Sequence, residues 1–337
     1  MNVSIVDIAQ QCGMPESVVE QILNARDGID ISTRRQVLNK AWEMGYVPDA
    51  PAVRGQSHNI GVLFADESFS GLTHPFFASL LNAFKTEAEN EDYDLTFINH
   101  GVGGDGSGFV DYCRYRNLDG VLLACVDFYS EPIKRLLDSE IPCVAVDNPW
   151  PKQSCVLSDN VSGMKQLVDY AVSLGHSRIA FVSGQRNSEV TEARRQEYLL
   201  SMEAHRLAVP EGYLSEAVYS DNQVVYEHVK KLLARKDRPT CILLPNDAAY
   251  FGAQEAVREQ DLRVPADISL AGYDGIPLTQ TLRPQLTTIH QKSEEMGRKA
   301  AELLLGRLKH PEAPMEEVVT VPVELIKGST VGWCDVW

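Results

Sequence analysis

Residues 241–275 contain two short apolar runs, each released into polar residues and glycine, and this pairing narrows the fold more than any other stretch of the chain. The run at 241–244 (Cys-Ile-Leu-Leu) has the length and uniform apolarity of a parallel strand buried on both faces. Asn246 and Asp247 follow, and then Ala248, Phe251, Gly252, Glu255 and Ala256 recur at helical spacing. Asp247 is expected to accept from free N–H groups at the start of that helix, where its charge also suits the helix dipole. Val264-Pro265 stops the pattern, and 268–271 reads as a second buried strand running into Gly272-Tyr273-Asp274-Gly275. Asn246 and Asp274 are thereby expected at the same edge of one sheet. In open α/β sheets that edge is where ligands bind.

A chain of 337 residues is long enough for two or three domains. Its 44% apolar and 23% charged residues are the proportions of a soluble globular protein. No apolar run approaches the ~20 residues of a membrane span. The first residues lack a basic stretch followed by a long apolar core, so no signal peptide is expected. The seven cysteines (12, 113, 125, 143, 155, 241 and 334) are scattered and form no C-x-x-C pair. A cytoplasmic protein with most thiols buried as small hydrophobes is the expectation. The net charge of −16 argues against broad affinity for nucleic acid. It leaves room for a small DNA-reading module, because local charge is what meets the phosphates.

The first 47 residues carry three helical patterns. Ile5, Ile8, Ala9 and Cys12 share one face, with Ser4 placed as a cap and Gly13 as the turn. Val18, Val19, Ile22 and Leu23 form the stripe of a second helix opened by Pro15. Val37, Leu38, Ala41 and Trp42 face inward on a third, which begins near Ser32-Thr33 and runs to Gly45. Helix, glycine turn, helix and a supporting helix make a helix-turn-helix headpiece. Its surface is acidic. Glu16 and Glu20 lie four apart and share a face. Residues 1–58 hold five basic side chains (Arg26, Arg34, Arg35, Lys40, Arg54) against seven acidic ones (Asp7, Glu16, Glu20, Asp27, Asp30, Glu43, Asp49), a net −2 where a DNA reader is expected to be basic.

Beyond the headpiece, strands and helices alternate. Strands are expected at 60–65, 94–98, 120–125, 143–147 and 178–183, and a longer one at 318–326, where the sequence alternates. Helices are expected at 75–90, 130–139, 160–173, 224–235 and 293–308, with another holding Arg194-Arg195. Asp147 ends its strand at the ligand edge, with Trp150 three residues on and able to stack on a ring or to anchor a surface loop. Phe76 and Phe77 read either as core or as pocket aromatics. Residues 101–108 contain a G-x-G-x-x-G match, but it follows the second strand of the repeat rather than the first and is read as a surface loop rather than a dinucleotide site.

These stretches together resemble the LacI family of transcriptional regulators. The resemblance is carried by the I-V-D-I-A, I-L-N, S-T-R-x-x-V and G-Y-V-P segments of the headpiece, by D-N-x-x-G at 159–163 and L-G-H-x-R-I-A-F-V-x-G at 174–184, by R-P-T at 238–240, and by the N-D, L-R-V-P, G-Y-D and T-T-I-H-Q segments between 246 and 291. It implies an α/β fold with an N-terminal helix-turn-helix headpiece and a periplasmic-binding-protein-like core of two doubly wound α/β subdomains. The implied boundaries are 1–47 for the headpiece, 48–59 for the hinge, 60–158 with 291–318 for the first subdomain, and 159–290 with 319–337 for the second. It also implies DNA contacts from Ser4, Ile5, Glu16, Ser17, Glu20, Gln21, Asn24, Thr33 and Arg54. Effector contacts are implied from Phe76, Phe77, Asp147, Trp150, Arg194, Tyr219, Asn246 and Asp274. The chain departs from the family at the recognition helix, which reads Met-Pro-Glu-Ser-Val-Val-Glu-Gln, and at the hinge, where Gly55 stands in place of a groove-wedging Leu.

No nucleophile motif, no H-E-x-x-H and no His/Cys cluster is visible, so an enzyme, a metal and a cofactor are not expected. Asp147, Arg194, Asn246 and Asp274 offer acceptors and donors suited to reversible binding of a polyol. The expected function is that of a dimeric repressor that binds operator DNA and a small sugar-like effector. The alternative is a cytoplasmic sugar sensor whose headpiece has lost specific DNA binding.

Overall fold

A computed structural model describes residues 3–23, 31–46, 57–64, 71–99, 108–185, 188–217, 221–312 and 317–334. Asn24, Arg54, Tyr219, the Gly55 hinge and most of the 101–108 loop lie outside these residues.

The headpiece consists of α1 (Ile5–Cys12), α2 (Glu16–Leu23) and α3 (Ile31–Glu43). Ser4 caps α1 in a reciprocal box with Asp7: its hydroxyl oxygen accepts from the Asp7 N–H, and its own N–H donates to the Asp7 carboxylate. Gly13 takes the left-handed conformation that turns the chain. Ile8, Ala9, Val19, Ile22, Leu23, Val37 and Ala41 form a small core.

The first sheet begins with β1 (Asn59–Phe64). After a 3-10 turn come α4 (Pro75–Asn90), β2 (Asp94–Phe97), α5 (Gly108–Tyr115), β3 (Gly120–Ala124), α6 (Glu131–Leu137), β4 (Cys143–Val146) and β5 (Ser154–Ser158). The second half holds α7 (Asn160–Ser173), β6 (Ile179–Ser183), α8 (Glu189–Ala204), β7 (Leu214–Glu216), α9 (Asn222–Leu233), β8 (Cys241–Leu243), α10 (Ala249–Glu259), β9 (Ser269–Asp274), α11 (Pro277–Gln280) and β10 (Thr287–His290). The chain then returns through α12 (Ser293–Lys309) and β11 (Val318–Val321), and ends on β12 (Glu324–Ile326).

The sheets are ordered β11-β5-β4-β3-β1-β2 and β12-β10-β9-β8-β6-β7. Pairing is parallel except for β12 on β10. Strands β3 and β4 are buried along their whole length, as covered parallel strands must be. The chain passes between sheets at Ser158–Asn160, at His290–Ser293 and at Val321–Glu324. Helix α12 packs against α4 in the core of the first sheet, with Met296, Ala300, Leu304 and Leu305 buried beside Leu80 and Phe84.

Three expectations are modified. The alternating stretch at 318–326 is two strands in two different sheets, broken at Pro322, which has no N–H to continue a ladder. The implied boundary at 318/319 therefore falls inside β11. The strands β5, β7 and β10 were not expected: polar residues interrupt each, and β7 is only three residues at a sheet edge.

Candidate functional site

The carboxyl ends of β4, β5, β8 and β9 bring Asp147, Ser158, Asn246 and Asp274 to the facing edges of the two sheets, and α8 delivers Arg194 between them. Asp147 and Asp274 both hold positive φ, 61° and 120°. Such backbone costs about 1–3 kcal/mol for a side-chain-bearing residue and concentrates at ligand sites. Asp147 accepts from the Ser158 N–H at 3.0 Å, and Asp274 accepts from the Gln291 amide at 2.7 Å.

Arg194 is almost fully buried, 4% exposed. Its Nε–H donates to Asn160 Oδ1 at 2.7 Å and one Nη1–H donates to the Pro245 carbonyl at 3.3 Å. Asn160 in turn donates to the Ser158 carbonyl. The guanidinium plane lies over the ring of Tyr273. Gly163 on α7 makes room for that ring, since a Cβ there would collide with the tyrosine hydroxyl. Neighbouring Arg195 points elsewhere, donating to Ser183 Oγ beside Glu216.

Burial dominates the electrostatics. It pushes the Asp147 carboxyl up to about 6, against the opposing pull of the Ser158 N–H and of Arg194. It pushes Asp274 up to about 7, with Arg194 and Gln291 opposing and the Asp147 charge adding to the rise. Two carboxylates from opposite sheets thus share one arginine.

The polar residues after β8 divide their work differently from the expectation. Asn246, not Asp247, caps the helix: its Oδ1 accepts from the Ala249 N–H at 3.0 Å. Asp247 is fully buried and turns toward β9 and β10, accepting from the Ile276 N–H and from the Thr279 and Thr288 hydroxyls. Its charge is spent on tying α11 and β10 together.

Of the two readings of Trp150, the structure shows the loop anchor. Strand β5 lies parallel to β4 with Val144 opposite Ser154, so the chain must run back the length of β4 before β5 can begin. Trp150 sits on that return. Its indole N–H donates to Asp138, which caps the end of α6, and its ring packs on the outer core beneath α5 and α6. Of the two aromatics at the head of α4, Phe76 is core and Phe77 is half-buried, edge-on to Phe64 at the carboxyl end of β1.

On the headpiece, Glu16, Ser17, Glu20 and Gln21 are all exposed on α2, Ile5 and Thr33 are half-buried, and the Ser4 hydroxyl is engaged with Asp7. Among the described residues, no group of three or more His, Cys, Asp or Glu is placed to hold a metal, and no helix is long and apolar enough to cross a membrane.

Residues 168–331 match a periplasmic binding protein-like domain. The chain is 27% identical to the ribose operon repressor of Escherichia coli (strain K12), over 96% of this chain and 98% of that one. It is 29% identical to the HTH-type transcriptional repressor PurR of Vibrio campbellii (strain ATCC BAA-1116), over 97% and 98%. A LacI family transcriptional regulator from Enterococcus faecium, solved with bound ribose, is 25% identical with a TM-score of 0.70, covering 82% of this chain and 100% of that one. Over nearly its whole length the chain is similar to these repressors, and it shares its fold with the LacI family regulator.

Several groups at the sheet edges were not singled out from sequence. Ser158 Oγ and Gln291 Oε1 are buried there without a hydrogen-bond partner in the protein. Asn160 orients Arg194, and Tyr273 is its platform. A usable signal did exist: Ser158, Asn160 and Gln291 all flank the points where the chain passes between sheets, and residues at such points face both halves. A further pair spans the halves, Tyr129 in the loop after β3 and Glu189 at the start of α8.

Proposed function

We propose that this chain is a LacI-family, effector-controlled transcriptional repressor of the cytoplasm. It binds operator DNA as a homodimer and a small sugar-like ligand between its two sheets. The observation that carries the reading is the set of Asp147, Arg194 and Asp274, three polar side chains from both halves that converge on one point. Ionised carboxylates accept from adjacent hydroxyls, the arginine fork and the Asn246 and Gln291 amides supply donors, and the half-buried Phe77 and Phe64 offer an apolar wall. Neutral polyols fit this set better than anions, because a ligand phosphate would face two carboxylates. The relatives named for ribose and solved with ribose support a pentose as the first ligand to try. A ligand that bridges the two sheets favours their closure, and the change in the first half is passed to the headpiece.

A second reading is favoured by one observation: Glu16 and Glu20 are exposed on the helix that would meet DNA, and carboxylates there repel phosphate. In that reading the protein senses a sugar while the headpiece serves assembly. Fluorescence anisotropy of the purified protein against DNA from its own upstream region separates the two, in a salt series with and without D-ribose and a panel of neutral sugars. Tight, salt-sensitive binding shifted by a sugar establishes the repressor. Weak binding indifferent to sequence, alongside a sugar that still raises the thermal midpoint, establishes the second reading.

A further inference from the structure

The headpiece core is completed by a residue that does not belong to the headpiece. Tyr115, the last residue of α5, is 8% exposed and joins the cluster formed by Ile8, Ala9, Val19, Ile22, Leu23, Val37 and Ala41. The other buried residues of α5, Phe109 and Cys113, belong to the core on the outer face of the first sheet. One short helix therefore has its shaft in the sensor and its end in the headpiece.

A second observation places the exit of the hinge at the same edge. Ser57 and His58, just before β1, are pinned to the loop that follows α5. The N–H groups of Ser57 and His58 donate to the two carboxylate oxygens of Asp119 at 3.0 and 2.8 Å, and the Ser57 hydroxyl donates to the Asn117 carbonyl. Asn117 and Asp119, which hold the exit of the hinge, lie within four residues of the tyrosine in sequence, at the edge where β1 and β3 begin.

We infer that Tyr115 is a positioning residue that docks the headpiece on α5, so that the orientation of the headpiece follows the first sheet directly instead of being set by the hinge alone. A buried tyrosine ring supplies a large apolar contact at low entropic cost. The docked arrangement leaves Glu16, Ser17, Glu20 and Gln21 facing outward. Strand β3 precedes β4, whose end carries Asp147, and α5 packs on that sheet. A rotation of the first half on ligand closure would thus be delivered to the headpiece through packed side chains, a consequence that rests on the function proposed above. The docking itself does not rest on it.

The test uses the full chain, isotopically labelled, with no DNA or sugar present, and reads nitrogen relaxation and hydrogen exchange of headpiece amides such as those of Ile8, Val19 and Tyr46. In the wild type and in Tyr115→Phe, headpiece amides should tumble with the same correlation time as those of β3 and β4. In Tyr115→Ala the headpiece signals should sharpen, with a correlation time several-fold shorter, while exchange in the sensor sheets is unchanged. A role confined to stability would alter exchange without altering tumbling. Independent tumbling in the wild type, or slow tumbling retained in Tyr115→Ala, overturns the inference. Neither result bears on whether the protein binds a sugar or an operator, so the two readings fail separately.

Discussion

The guanidinium carbon of Arg194 lies 3.5 Å above the centre of the Tyr273 ring, and its Nε–H is held by Asn160. The stack and the hydrogen bond fix the fork before any ligand arrives, so little ordering remains to oppose binding. A lysine has neither the plane to stack nor the fork to bind two hydroxyls. Arg194→Lys and Arg194→Ala are both expected to lose about 10- to 100-fold in affinity for whichever sugar stabilises the wild type, as loss of charge-assisted hydrogen bonds implies. Titration calorimetry checks this, and unchanged affinity would remove Arg194 from the site. The Tyr273 hydroxyl is buried and unpaired, so Tyr273→Phe should keep the stack and stabilise the protein by about 1 kcal/mol.

Two nearby aspartates should respond in opposite ways. Asp247 holds three donors, from Ile276 at the start of α11, from α11 itself and from β10, and Asp247→Ala strands them all. A loss of roughly 3 kcal/mol is expected, seen as a fall of several degrees in the thermal midpoint. Asp274 faces the charges of Asp147 and Asp247. Its replacement by alanine should leave the midpoint of the ligand-free protein level or raise it, while sugar binding is lost. Equal destabilisation by both variants would refute this division of labour.

The same carboxylates make binding depend on pH. Asp147 and Asp274 are raised to about 6 and about 7 by burial, so each carries a proton below those values that the unfolded chain would already have released. A ligand that donates hydroxyls prefers the ionised forms. Affinity should therefore rise from pH 5 to 8, levelling above about 7, and binding at pH 6 should release protons. Calorimetry at pH 6 in two buffers of different ionisation enthalpy measures that release. Asp274→Asn should flatten the upper part of the profile. An affinity independent of pH in the wild type would show that the ligand does not touch these groups.

Across the mouth of the site, the Tyr129 hydroxyl donates to Glu189 Oε1 at 2.9 Å, joining the first half to the helix that bears Arg194. A hydrogen bond to a charged partner at an exposed position contributes about 1 kcal/mol. Tyr129→Phe should speed sugar release about fivefold in stopped-flow displacement, with little change in the rate of capture. Combining it with Glu189→Gln should add nothing further. Additive effects would show that the two residues act separately.

On the headpiece, Glu16→Gln combined with Glu20→Ser removes two negative charges from the exposed face of α2. If that face meets phosphates, affinity for upstream DNA should rise and its dependence on salt should steepen. Anisotropy titrations at several salt concentrations read both quantities. A face turned toward protein would gain nothing.

Periodicity made most elements legible, because helices such as α4, α7 and α12 are long and carry a clear apolar stripe, and β3 and β4 are uniformly apolar. The strands that escaped, β5, β7 and β10, are interrupted by Ser, Thr and charged residues, so no uniform apolar run marks them. Asp147, Arg194 and Asp274 could be placed at one edge because topology alone puts strand ends together. Trp150 could not, since its position depends on how far the chain must retreat before β5, which only the register reveals. The exchange of roles between Asn246 and Asp247 was equally hidden. Two adjacent polar residues at a strand end point in opposite directions, and which one meets the helix is settled by the hydroxyls of Thr279 and Thr288, more than 30 residues away.

The return of α12 and β11 to the first sheet bears on how the protein is made. Met296, Ala300, Leu304 and Val321 belong to the same core as Ile60, Leu80 and Phe84, so the half translated first is missing one wall until nearly the entire chain has left the ribosome. The second half, although it begins later, has five of its six strands by residue 290 and lacks only β12 and the tail that seats Thr330 and Val331 on its core. The natural order of assembly is therefore inverted: the later half can close on itself while the earlier one waits, its sheet exposed, for a helix encoded some 200 residues downstream.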